Sequence, residues 1–141
     1  MWKGPAFSGT KIALLCGVHT VAYLRDEKPE IPYSGMWDLP GGGREGSEAP
    51  IECGLREVQE EFGLALNASD IVLVERHQSL NGGLDTYFCA IKIDDVAVAN
   101  INFGDEGQRW EMMPITDFVN HEGAVPHLRS RLRALLDADL I

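Results

Sequence analysis

Residues 41 to 64 read Gly41-Gly42-Gly43-Arg44-Glu45-Gly46-Ser47-Glu48-Ala49-Pro50-Ile51-Glu52-Cys53-Gly54-Leu55-Arg56-Glu57-Val58-Gln59-Glu60-Glu61-Phe62-Gly63-Leu64, a glycine run leading into an amphipathic segment. Ile51, Leu55, Val58 and Phe62 recur at spacings of four, three and four, which predicts a helix with one apolar stripe against a core. Ser47 is the expected N-cap, Glu48 suits the positive helix end, Pro50 is tolerated in the first turn, and Gly63 closes the helix as a left-handed cap. Glu57, Glu60 and Glu61 fall off the stripe and, at helical neighbour spacing, point into one region. Two readings of that trio are open: a solvated acidic face, or a site where hard divalent cations take carboxylate oxygens. Gly41 and Gly42 give the preceding loop the freedom to adopt positive φ or to approach a ligand closely.

The 141 residues fit one domain, 1–141, able to bury its own core. No apolar run is long enough to cross a bilayer, and the first residues lack the basic and apolar regions of an export signal, so no membrane association is expected. Cys16, Cys53 and Cys89 form no Cys-x-x-Cys pair, which argues against a disulfide framework or thiolate zinc site and suits a reducing cytoplasm. Cys53 is read as inert packing. The formal charge of −10, without any basic run, excludes broad binding to extended nucleic acid. An anionic small substrate then needs a cation as helper.

Outward from the opening stretch, Thr10 to Cys16 and His19 to Arg25 read as a hairpin of buried strands across Gly17. Arg25, at its end, either reaches a phosphate or pairs with a surface acid. Residues 26 to 36 form a loop, and Trp37 returns the chain to the core. After the helix, Ile71 to Leu80 and Leu84 to Ile93 read as strands joined through Asn81-Gly82-Gly83. Residues 94 to 102 carry no clear pattern, and 103 to 107 form an acidic loop. Gln108 to Met113 is a last strand, Ile115 to Val119 a brief helix, and Pro126 to Leu140 an amphipathic helix. That last helix puts Leu128, Leu132, Leu135 and Leu136 inward and Arg129, Arg131 and Arg133 on a solvated face. Strands with helices inserted early and at the end predict an α/β/α layered domain around a mixed sheet.

The opening stretch resembles the signature of the Nudix hydrolases. It reads Gly42, five residues, Glu48, seven residues, Arg56-Glu57-Val58, one residue, Glu60-Glu61, one residue, Gly63-Leu64, and fills every defined position. The Trp37-Asp38-Leu39-Pro40-Gly41-Gly42 entry and the order of elements agree with that family. The resemblance implies the Nudix fold, an α/β/α sandwich whose signature forms a loop-helix-loop. It implies hydrolysis of the pyrophosphate link in a nucleoside diphosphate joined to another moiety, with Mg²⁺ or Mn²⁺ as cofactor. It further implies that Glu57, Glu60 and Glu61 bind metal, that Arg56 orients Glu57, that Gly42 permits the loop's turn, and that Glu48 binds metal through water or braces the loop.

Metals would screen the pyrophosphate charge and acidify the attacking water, and a general base is still required. Glu106 is the candidate, with Asp105 and Glu111 as rivals; each also reads as an exposed loop acid. No proline lies between Gly63 and Pro114, and the first tyrosine after the signature is Tyr87, which lowers the weight of ADP-ribose and diadenosine polyphosphate substrates. Nucleoside triphosphates, nucleotide sugars and other diphosphates stay open. The alternative function is a catalytically silent nucleotide-sensing or interaction domain, disfavoured because every signature glutamate is retained. Reaction at a sugar carbon is disfavoured because the signature is standard. A homodimer is compatible with this reading.

Overall fold

The computed structural model describes residues 2–79 and 82–141. Strands β1 (Phe7–Cys16) and β2 (His19–Leu24) form the expected hairpin, followed by the short strands β3 (Trp37–Asp38) and β4 (Gly41–Gly43). Helix α1 (Pro50–Phe62) precedes β5 (Ile71–His77) and β6 (Asp85–Lys92), then α2 (Asp95–Ala99), β7 (Arg109–Pro114), α3 (Ile115–Asn120) and α4 (Pro126–Asp137). The Leu80 end of the predicted fifth strand and the Asn81 position of its turn lie outside the described residues.

The main path of the sheet runs β3-β2-β1-β6-β5, with β4 paired to β1 and β7 to β2. The β1–β6 pair is parallel and the remaining pairs antiparallel, so the sheet is mixed. Strand β1 is central because it is apolar on both sides. Ile12 and Leu14 pack with Val58 and Phe62 of α1, whereas Ala13 and Leu15 pack with Phe118 of α3 and Leu128, Leu132 and Leu135 of α4. A strand covered on both faces needs a continuous apolar run. The result is an α/β/α arrangement, as the sequence predicts.

The helix start differs from expectation. Helix α1 begins at Pro50 with Ala49 at the N-cap, whose N–H donates to Glu52 at 2.9 Å. Ser47 stays in the loop because Glu48 is held by Arg56, which fixes the turn ahead of the helix. Gly63 ends α1 in the left-handed region, at φ 68°, as expected. The unpatterned segment after β6 is α2, started by Asp94, whose Oδ1 accepts from the Ala97 N–H at 2.8 Å. It buries no residue and so has no apolar period to read.

Candidate active site

Strand β4 lies antiparallel to β1, pairing Gly41 with Lys11, Gly42 with Thr10 and Gly43 with Gly9. A side chain at Gly41 would run into the Thr10 and Lys11 backbone, and one at Gly42 would meet the Glu57 carboxyl carbon at 2.7 Å. Gly41 therefore lets β4 lie close against β1, and Gly42 lets it lie against Glu57 of α1. Gly41 N–H donates to Glu61 Oε1 at 2.9 Å, which ties the glycine strand to the last turn of the helix.

That contact changes the reading of α1. Glu61 is not off the packed face: it is buried, with 8% of its surface exposed. Burial pushes its carboxyl up to about 8, with Glu57 and Asp38 adding to the effect and the Gly41 N–H and Lys11 opposing it. Glu57 is half-buried and also raised, chiefly by burial, with Glu60 and Glu106 contributing repulsion against the pull of Arg56. Glu60 is the outermost of the three, its side chain 56% exposed.

Arg56 gathers the acidic side chains around it. Its Nε and Nη2 donate to Glu48 at 2.7 and 3.1 Å, and Nη1 donates to Glu57 at 2.9 Å and to Glu60 at 3.0 Å. Nη2 also donates to the Gly43 carbonyl at 2.7 Å. The paired guanidinium holds the Glu48 carboxyl below the usual carboxylate range, helped by the Glu45 N–H. Glu48 is thus bonded to Arg56 and to the Glu45 N–H and is not among the residues that line the acidic cleft.

That cleft, about 260 Å³, is lined by Glu45, Glu57, Glu60, Glu61, Gly104, Asp105 and Glu106. The loop carrying Asp105 and Glu106 is docked by main-chain bonds, Gly104 N–H to Glu61 O at 2.8 Å and Gln108 N–H to Leu24 O at 2.8 Å. Phe103 packs its ring 5.4 Å from Phe62 and 6.2 Å from Tyr23. Glu111 is not brought to the cleft; it lies on β7, 3.9 Å from Arg109. An adjoining cavity of about 310 Å³ is lined by Tyr23, Arg25, Asp26, Lys28, Ile31, Glu106 and Gly107, so Glu106 stands between the two.

Arg25 reaches this second cavity, but the acid it pairs with is buried. Asp38, 2% exposed, accepts from Arg25 Nη1 at 2.8 Å, Lys11 Nζ at 2.9 Å and the Tyr23 hydroxyl at 3.2 Å. Burial beside that carboxylate pushes the Tyr23 hydroxyl far upward. Sequence reasoning passes over Asp38 inside an apolar run; its one signal is a lone carboxylate among Trp37, Leu39 and Pro40. Cys53 and Cys89 are buried, and burial raises both thiols, Cys89 to about 12, in line with inert packing.

The cleft offers carboxylate oxygens without thiolate or imidazole, the donor chemistry of hard divalent cations. Arg56 draws on Glu57 and Glu60 while Gly41 holds Glu61, and among the described residues no three His, Cys, Asp or Glu side chains converge as a ligand set.

The NUDIX domain profile matches residues 12–135. The chain belongs to the Nudix family. An 8-oxo-dGTP diphosphatase of Proteus vulgaris is 33% identical to this Nudix chain over 51 residues, which span 36% of the chain and 46% of that relative. A MutT protein from Methanosarcina mazei Go1 superposes with a TM-score of 0.74 at 18% identity, over 99% of each chain. A bifunctional NMN adenylyltransferase/ADP ribose pyrophosphatase from Francisella tularensis, complexed with AMP and a Mn ion, superposes with a TM-score of 0.76 at 15% identity, over 97% of this chain and 43% of that one. These likenesses show the Nudix fold. Among the described residues no helix is long and apolar enough to cross a membrane.

Proposed function

We propose that this Nudix chain is a pyrophosphohydrolase that cleaves a nucleoside diphosphate joined to another moiety, by water attack at phosphorus, with Mg²⁺ or Mn²⁺. The observation that carries this reading is the meeting of Glu57, Glu60 and Glu61 from one helix with Glu106 from a separate, docked loop in a single cleft. Glu57, Glu60 and Glu61, which line the cleft engaged with Arg56 and the Gly41 N–H, would hold the ion by exchanging those partners for it, and the ion when bound would supply positive charge to the phosphates and acidify water. Arg56 orients Glu57 and is itself held by Glu48, which is a bracing role for Glu48. Glu106, which lines the same cleft, would accept the proton of the water as its oxygen bonds to phosphorus and the bridging P–O bond breaks. Arg25 and Lys28, beyond Glu106, offer cationic donors to the phosphate oxygens.

The Proteus relative's named activity on an oxidised nucleoside triphosphate, and AMP with Mn bound to the Francisella neighbour, support a small nucleotide derivative as substrate. Three free cysteines are in keeping with a reducing cytoplasm. The test is a panel of nucleoside triphosphates, oxidised triphosphates, nucleotide sugars and dinucleotides with Mg²⁺ or Mn²⁺, run beside Glu60→Gln. Glu60 is well exposed, so the variant keeps its fold, while turnover falls on the order of 100-fold. Undiminished turnover in Glu60→Gln would overturn the ligand assignment, and tight binding without turnover by the wild type would overturn the enzyme reading.

A further inference from the structure

Helix α4 was expected to show its arginines to solvent, and two of them do other work. Arg133 Nη2 donates to Asn120 Oδ1 at 2.7 Å, fastening α4 to α3. Arg131 is half-buried and lines a cavity of about 250 Å³ together with Lys11, Thr86, His127, Gly42 and Gly43. His127 and Arg131 are four residues apart on α4, so they share a face. Gly42 also faces Glu57 of the acidic cleft, which places β4 between that cleft and this cavity.

The charges in this cavity are uneven. Lys11 is already committed to Asp38 and to the Leu39 carbonyl. Arg131 makes no ion pair among the described residues; its Nη2 donates only to the Thr86 hydroxyl, at 3.3 Å. No carboxylate is among the lining residues, although the chain carries a net charge of −10. Glu75, the acid acting on Arg131 from a distance, is bonded to His77 at 3.2 Å. A half-buried guanidinium whose one acidic neighbour acts from a distance and forms no ion pair with it gains from an anion in direct contact, and its fork suits phosphate oxygens. His127, which lines the cavity, has its Nδ1 3.5 Å from the Tyr33 hydroxyl, and Tyr33 is held at φ 54°, which is uncommon for a non-glycine residue.

We propose that this cavity binds a further phosphate group carried by the substrate beyond its scissile diphosphate, with Arg131 as anchor and Thr86 and His127 as flanking polar groups. The assignment rests on the hydrolase reading only for what that phosphate is attached to. It therefore separates from that reading in experiment. Inorganic phosphate is titrated into the metal-free protein at fixed pH while the His127 ring resonances, assigned with His127→Gln, are followed by NMR. A saturable shift is expected in the wild type and in Glu60→Gln, with affinity weakened about tenfold or more in Arg131→Gln. In the substrate panel, Arg131→Gln lowers kcat/KM for conjugates bearing a further phosphate about tenfold more than for those without one. No shift in the wild type, an equal affinity in Arg131→Gln, or a shift produced by adenosine and not by phosphate overturns the proposal. Loss of turnover in Glu60→Gln with the phosphate shift intact leaves both readings standing apart from each other.

Discussion

Replacing Gly42 with alanine tests whether the glycine strand serves the position of Glu57 more than the fold. The backbone at Gly42 is outside the left-handed region, so alanine adopts it without strain. The new Cβ would stand 2.7 Å from the Glu57 carboxyl carbon and 2.8 and 2.9 Å from its oxygens. Reaching ordinary contact at 3.4 Å displaces the carboxylate by about 0.7 Å, and misplacement on the order of 1 Å costs up to about 100-fold in rate. The obstructed group is the end of a flexible side chain, so the strand itself need not move. Gly42→Ala should therefore lose 10- to 100-fold in kcat/KM by this order-of-magnitude argument, with a thermal midpoint close to wild type. Gly41→Ala provides the contrast, because at φ 127° its Cβ meets main-chain atoms of Thr10 and Lys11, and it should lower stability by about 1–3 kcal/mol. The assays are steady-state hydrolysis of the best substrate in the panel and thermal unfolding by circular dichroism. Full activity in Gly42→Ala, or a stability loss matching that of Gly41→Ala, would refute the reasoning.

Asp38→Asn leaves Lys11 and Arg25 facing a neutral amide and should destabilise the chain by about 3–5 kcal/mol in urea unfolding; a change under 1 kcal/mol would show that the cluster contributes little. Glu48 is held below its ordinary value of 4.5 by Arg56, so as pH falls the unfolded chain takes up this proton first and the native state loses the Glu48 contribution as pH passes down through the folded value. Glu48→Gln should flatten that acid limb in urea unfolding between neutral pH and pH 3, and an unchanged limb would remove Glu48 from the account.

The loop-helix unit was legible because its determinants are local: the apolar period of α1, Pro50 in the first turn and Gly63 at the end all act within a few residues. Strand β1 was legible for a similar reason, since burial on both faces leaves an unbroken apolar run. The burial of Glu61 was not, because a helical wheel compares residues on one helix and contains nothing of the Gly41 N–H that meets this carboxylate from β4. Asp38 was hidden likewise, as its partners Lys11, Tyr23 and Arg25 come from other strands. Arg131 looked like its neighbours Arg129 and Arg133 until the register of β6 brought Thr86 beneath it.

These tertiary contacts make three glutamates that look equivalent in the sequence physically different. Glu61 is buried and bonded to the backbone of β4, Glu57 is half-buried and held by Arg56, and Glu60 is exposed at the rim. Crowding like charges into a partly desolvated cleft opposes their ionisation, as the raised Glu57 and Glu61 carboxyls record. The fold nonetheless brings a fourth acid, Glu106, to the same cleft on a loop whose glycine is bonded to the carbonyl of Glu61 itself. The residue that anchors the acidic loop is therefore the most buried member of the helical trio. A substitution at Glu61 would keep the main-chain bond to Gly104 but lose the bond from the Gly41 N–H and a buried carboxyl together, whereas one at Glu60 changes charge at the rim and leaves the scaffold standing. That gradient of embedding makes Glu60 the position at which loss of turnover reports on chemistry and not on folding.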